Sequence, residues 1–350
     1  MEHNNRSNII DEVERLTTAG EWSSALALLM AENSRHPNSE LERKLVDLRI
    51  KAFRETNWPA PDITWPPNHQ PLDTPGNELP EITPNELDVN TLRSGILGNG
   101  GVIVRGLMDE NTVGEMRDNI DRTVLAAQAI ASGQSDVDAQ AWFTRSEQVK
   151  GGPAQFFAMG RGGANESASA SIWAVDSPRT ANQLIQFYQA INLPALLQGY
   201  FSEPAALSVK KWVLRRVAPN NGRQAGWHQD GRFLGDGIRT VNLWIALTDC
   251  GGDANSPGMD IVGGETKTIY ETGTHGAPFE WTVGQGLVDE LGEASPALCP
   301  RFYPGDAIFF DHYNLHRTAF GIDHTQNRYA LESWFFAASR APAKQIPVYL

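Results

Sequence analysis

The chain has 350 residues, 41% hydrophobic and 20% charged, which excludes wholesale disorder and fibrous repeats and leaves room for one large domain with an extension or for two domains. Forty-two acidic side chains against 29 basic ones give a net charge of −13, and that surplus offers nucleic acid or an anionic membrane no attractive field. Two cysteines, Cys250 and Cys299, fall short of a secreted disulfide framework and read as reduced thiols.

The N-terminus MEHNNRSNIIDEVERL has no basic stretch leading into an apolar run, and no apolar stretch approaches the roughly 18 residues of a membrane span. A soluble, cytoplasmic protein is expected. From Asn8 to Asn57 apolar residues recur at helical spacing, and Gly20 and the His36-Pro37-Asn38 turn divide the pattern into three short helices. The segment AGEWSSALALL followed by HPNSELERKL resembles a single tetratricopeptide-type unit. With no second copy, residues 1–57 are expected to dock on the rest of the chain, with recruitment of a protein partner as the alternative.

Eight of the 21 prolines lie between Pro59 and Pro84. Each removes a backbone donor and restricts its predecessor, so residues 58–85 read as an extended linker. Residues 86–350 then form the second domain. Glu86 to Leu97 and Glu110 to Ile130 read as helices around a short strand, Gly101 to Arg105; Gly151 to Val175 reads as loops near an opening, and Thr180 to Tyr200 as one helix. Strands are expected at Ser208–Val217, Thr240–Leu247, Met259–Val262, Ala307–Phe310 and Tyr329–Ala337. Many strands without βα alternation point to an antiparallel sandwich or barrel with flanking helices.

In Trp227-His228-Gln229-Asp230, His228 and Asp230 are two positions apart, so on an extended chain both project to one side and could grip one metal ion. Alone that spacing is weak, since a loop hydrogen bond explains it equally well. A second element, GDAIFFDHYNLHRTAF, opens a strand at Gly305-Asp306 and places His316 beyond it, with His312 as a rival. Arg328 follows at the head of RYALESWFF. Two neutral imidazoles and one carboxylate are the ligand set of non-haem Fe(II) oxygenases, and a guanidinium fork suits a distal carboxylate. In Thr240–Leu247 the residues Val241, Leu243, Ile245 and Leu247 make one aliphatic face, which turns Asn242 and Trp244 to the other.

With these motifs, GVIVRGLMDE, TVNLWIALTDC and PGMDIVGG, the chain from about Thr91 to Ala338 resembles the phytanoyl-CoA dioxygenase family of Fe(II)/2-oxoglutarate-dependent oxygenases. The resemblance implies a mostly β fold with flanking helices, built on a double-stranded β-helix, the cupin-like jelly roll, here with an N-terminal helical extension. It implies His228, Asp230 and His316 as metal ligands and catalytic residues, Arg328 as the 2-oxoglutarate anchor, and Gln229, Trp244 and Thr318 as further cosubstrate contacts. Fe(II), 2-oxoglutarate and O2 would be required, and the expected reaction is hydroxylation of an aliphatic C–H of a small molecule with release of succinate and CO2. The alternatives are a same-fold oxygenase that does not use 2-oxoglutarate and a non-catalytic binding module.

One departure stands out: many members have a proline-glycine-serine-histidine turn where this chain has Val262-Gly263-Gly264-Glu265-Thr266-Lys267. Arg223, Arg232, Phe233, His275 and His312 lie on segments that could reach substrate, and Lys210, Lys211, Arg215 and Arg216 form a local basic run.

Overall fold

The computed structural model describes residues 2–75, 78–134, 137–146, 149, 169–219, 225–235, 237–292 and 295–350. Three helices open the chain, α1 (Glu2–Thr18), α2 (Trp22–Arg35) and α3 (Ser39–Glu55). Gly20 ends the first with a left-handed φ of 75°, a conformation open to glycine because it has no Cβ. Asn38 starts the third, its side chain accepting from the Leu41 N–H at 3.0 Å. Leu16, Leu26, Leu29, Leu41 and Leu45 close a small core among the three helices. Val46 and Ile50, also on α3, belong instead to the main core, and buried Arg49 donates to the Tyr349 carbonyl at 3.0 Å.

The proline-rich stretch holds no helix or strand between residues 57 and 75, as its missing donors dictate. It is nevertheless pinned. Trp65 sits edge-on to Tyr200 at 5.6 Å between ring centroids, and the Asn99 side chain exchanges two hydrogen bonds with the Leu72 backbone.

Beyond it come β1 (Glu81–Ile82), α4 (Val89–Arg93), β2 (Val102–Val104), α5 (Glu110–Ala131), α6 (Val137–Trp142), β3 (Ala170–Trp173), α7 (Pro178–Ala190) and α8 (Leu193–Phe201). The second half runs β4 (Ala205–Val217), α9 (Gly231–Leu234), β5 (Thr240–Ala246), β6 (Gly258–Val262), α10 (Gln285–Leu291), β7 (Ala297–Leu298), β8 (Ala307–Phe310), β9 (His316–Ala319), β10 (Arg328–Ala337) and β11 (Pro347–Tyr349). One mixed sheet has the order β1-β2-β8-β5-β10-β4-β11, with β3 also on β4, and a smaller sheet has the order β7-β6-β9.

Alternation in the central strands separates two cores. Val241, Leu243, Ile245, Phe309, Leu331 and Phe335 face the helices. On the opposite face Trp244, Ile308, Phe310, Ala330, Trp334 and Phe336 meet Met259 and Ile261 of β6. The candidate site lies within this second layer.

Several elements differ from the sequence reading. The helix expected over Thr180–Tyr200 is two, because Asn192 adopts a left-handed φ of 55° ahead of Pro194 at the start of α8. The helix expected at Glu86 starts at Val89 and closes in a π-turn, Ser94–Gly98. Of the expected loop at Gly151–Val175, residues 151–168 lie outside the described ones, and Ala170–Trp173 is a strand. Strands β1, β7, β9 and β11, two to four residues each, are too short to show a period of two.

Candidate functional site

His228 lies in extended chain ahead of α9 and is held opposite His316, the first residue of β9. Its N–H donates to the His316 carbonyl at 2.9 Å, and the reverse bond is 3.0 Å. This pairing sets the two imidazole centroids 4.4 Å apart. Nδ1 of each ring rests on a backbone carbonyl two residues earlier, Gly226 at 3.1 Å and Asn314 at 3.2 Å. A proton on each Nδ1 leaves each Nε2 as a lone pair, the form that binds a metal. Burial and the adjoining His316 push His228 down to about 4, and burial lowers His316 as well, so both rings are neutral at neutral pH.

Asp230 sits where the chain turns into α9, its carboxylate free of any capping bond. The turn is tight: a Cβ on Gly231 would lie 2.9 Å from the His312 carbonyl oxygen. Oδ2 of Asp230 is 3.9 Å from Nε2 of His316, and Oδ1 accepts from Nζ of Lys211 at 2.6 Å. Burial alone would raise this carboxyl, but Lys211 and the two imidazoles hold it well below the usual carboxylate range. The ion pair raises Lys211 in spite of its burial.

As they stand, the three side chains are not a finished cage. Among the described residues no group of three or more His, Cys, Asp or Glu side chains is arranged to hold a metal ion. Asp230 meets Lys211 through Oδ1, and its Oδ2 lies nearest His316. The donor set nevertheless has the chemistry of an Fe(II) site: two neutral imidazoles and an ionised carboxylate bordering one cavity of about 100 Å³.

Arg328 borders the same cavity at the head of β10. It is 3% exposed and makes no ion pair among the described residues. Nη1 donates to the Gly258 carbonyl at 2.6 Å, Nε has no partner among the described residues, and burial pushes the group down to about 10. A buried unmatched donor costs about 1–3 kcal/mol, more when charged, so this guanidinium fits a bound anion. Its Cζ stands 5.6 Å from the Trp244 ring centroid. Trp244 and Thr318 also line the cavity.

Gln229 does not. Its amide donates to the carbonyls of Thr268 at 2.8 Å and Tyr313 at 2.6 Å and accepts from the Tyr270 N–H at 2.8 Å. All of that capacity goes to pinning neighbouring chain. His312 is also turned away, with Nδ1 on the Thr240 hydroxyl at 2.9 Å. It lines a separate cavity of about 400 Å³ with Trp65, His69, Glu265, Lys267 and Asp311. The divergent turn after Val262 therefore serves this second space, where Glu265 meets both Lys267 at 2.6 Å and His69 at 3.4 Å. His275 points outward to Glu290 at 3.4 Å, Arg232 is exposed beside Phe233, and Arg223 lies outside the described residues.

The sequence reading named Lys211 and Arg215 only as part of a basic run and did not name Glu332 or Arg317, which also line the cavity. Arg215 pairs with Glu332 at 2.6 Å and Lys211 with Asp230, so the basic run is no free patch; Arg216 meets Asp121 at 2.7 Å on the helix side. Glu332, four residues after Arg328 on β10, was available from strand parity. Lys211 was not, because β4 places Leu207 opposite Phe335 and Trp212 opposite Ser333, an irregularity that resets its alternation.

A family model described as phytanoyl-CoA dioxygenase matches residues 97–319. No curated protein matches the chain in sequence. Among solved structures, EctD from S. alaskensis with bound Fe is 16% identical, with a TM-score of 0.47 over 69% of this chain and 74% of that one. The non-heme alpha ketoglutarate dependent carbocyclase SnoK from nogalamycin biosynthesis is 14% identical, with a TM-score of 0.45 over 73% of this chain and 85% of that one.

Proposed function

The chain belongs to the phytanoyl-CoA dioxygenase family and is a 2-oxoglutarate-dependent dioxygenase; from that premise we propose that His228, Asp230 and His316 bind Fe(II), that Arg328 anchors 2-oxoglutarate, and that the enzyme hydroxylates an aliphatic C–H of a small molecule. When bound, Fe(II) with 2-oxoglutarate and O2 supplies the oxidising power, and succinate and CO2 are released. The observation that carries the reading is the buried Arg328, with its unmatched Nε, in the same cavity as two neutral imidazoles and an ionised carboxylate.

Each side chain then has a defined task. The backbone bridge between His228 and His316 holds side by side the two imidazoles that would hold the ion. Lys211 keeps Asp230 ionised and fixes its Oδ1, which leaves Oδ2, on the side of His316, as the oxygen that would hold a dication. Arg328 grips the distal carboxylate through a planar fork, with Trp244 and Thr318 beside it. Phe310 and Met259 close the wall against water. Two facing sheets around this cavity support the jelly-roll reading. The main-core residues Val46 and Ile50 support docking of helices 1–57 on the catalytic domain, whose sheet takes in Glu81–Ile82 and so begins within the expected linker 58–85 rather than at residue 86.

The test is turnover. Protein loaded anaerobically with Fe(II) and then given 2-oxoglutarate and O2 should form succinate, and Asp230→Ala and His316→Ala should not. No succinate from the loaded wild type across a metabolite extract would overturn the reading and favour a binding module.

A further inference from the structure

Three aromatic side chains that this chemistry leaves unused gather beside it. Trp281 stands edge-on to the His228 ring, with centroids 5.6 Å apart. Phe279 stacks on Trp281 at 5.7 Å with planes 10° apart, and Phe233 closes on Trp281 at 5.9 Å. All three are open to solvent, at 51% for Phe279, 45% for Trp281 and 41% for Phe233. Single exposed apolar residues need no explanation, but a contiguous group abutting a cavity does.

The backbone holds them there. The Val283 N–H donates to the Trp227 carbonyl at 2.9 Å, which straps the segment bearing Phe279 and Trp281 to the strand bearing His228. Gly226 permits the approach, since a Cβ there would stand 2.4 Å from Cγ2 of Thr282. On the other side, Nζ of Lys211, the partner of Asp230, lies 5.9 Å from the Phe233 ring centroid. The aromatic group thus touches the assigned site at two points, Trp281 on the His228 ring and Phe233 under Lys211.

We propose that Phe233, Phe279 and Trp281 are the substrate platform, and that the substrate carries a flat apolar ring system bearing the saturated carbon to be oxidised. The proposal rests on the metal reading of His228, Asp230 and His316. Exposed aromatic rings favour offset stacking with another ring, whereas a flexible alkyl chain gains no such contact and loses rotamer freedom on lying flat. A ring laid against Trp281 lies next to the His228 imidazole that Trp281 itself contacts.

The probes are tetralin, a flat ring fused to saturated carbons, and 1-dodecanol, a chain of similar apolarity. Binding is read by quenching of tryptophan fluorescence in metal-free and in anaerobic Fe(II)/2-oxoglutarate-loaded protein, and in the latter also by a shift of the visible charge-transfer band. Tetralin should bind both forms and shift the band. Trp281→Ala should weaken it about tenfold or more, Phe279→Ala should weaken it less, and Trp281→Phe should restore most of the loss. Unchanged tetralin affinity in Trp281→Ala, or binding of dodecanol in preference to tetralin, overturns the platform. Absence of the charge-transfer band in loaded wild type overturns the metal reading instead, while quenching of the metal-free protein still decides the platform.

Discussion

Lys211 holds Asp230 through a 2.6 Å contact inside the cavity, so the carboxylate assigned to a dication is already neutralised by the protein's own ammonium. Removing one partner of a buried pair leaves the other charge uncompensated, at about 3–5 kcal/mol. Lys211 keeps 24% of its side chain exposed, which puts Lys211→Met near the lower end. A bound dication replaces the lost charge. By calorimetry, the metal-free variant should melt below wild type, and Mn(II) should raise the variant's midpoint by more than it raises the wild type's. Equal increments would mean that the metal and Lys211 do not share Asp230.

Arg328 tests the cosubstrate half of the site. Lysine keeps the positive charge but loses the planar fork, and the ammonium cannot reproduce both the Gly258 bond and a two-point grip. Arg328→Lys should weaken 2-oxoglutarate by about tenfold to a hundredfold, the worth of one charge-assisted hydrogen bond at about 1.5–3 kcal/mol. Mn(II) affinity should stay as in wild type. Isothermal titration of each ligand separates the two effects.

Asp311, on the wall of the larger cavity, has its carboxyl pushed up to about 7 by burial, against the hydrogen bonds from Tyr313 and Asn314. A raised carboxyl favours the neutral form in the folded state. Its contribution to stability is therefore complete below the ordinary value of 3.8, falls as pH rises, and is gone above about 7. Asp311→Asn stays neutral throughout. Its melting midpoint should gain on wild type steadily across that interval and remain above it at higher pH. A constant difference would show that Asp311 does not titrate there.

Ile50 is 1% exposed and shares one core with Val104, Leu184 and Leu331. Ile50→Ala should cost about 2–5 kcal/mol and lower a single unfolding transition, followed by circular dichroism and by fluorescence. Separate transitions would show residues 1–57 unfolding as an independent unit.

The candidate site was legible in the sequence wherever chemistry and strand parity agreed. His228 and Asp230 two apart, His316 beyond Gly305-Asp306, and Trp244 opposite in parity to Val241, Leu243 and Ile245 all border the expected space. Parity failed where the backbone departs from a regular strand. The irregular pairing of β4 with β10 brought Lys211 into the cavity, and the turn between β8 and β9 carried His312 out of it. Phe279 and Trp281 lie on irregular chain with no period at all; backbone bonds of their neighbours, Val283 to Trp227 and Thr282 to Phe279 and Gly273, place them.

Gln229 stands in sequence between His228 and Asp230, and its amide clips together Thr268, Tyr270 and Tyr313. The loop at Thr268 and Tyr270 is consequently tied to the chain between the two donors through one side chain. Transplanting that loop from a relative would shift the imidazole and the carboxylate together. The loop and the His-Gln-Asp triplet are therefore constrained to change as a pair, because a loop that no longer fits the clip would leave an amide stranded in the interior.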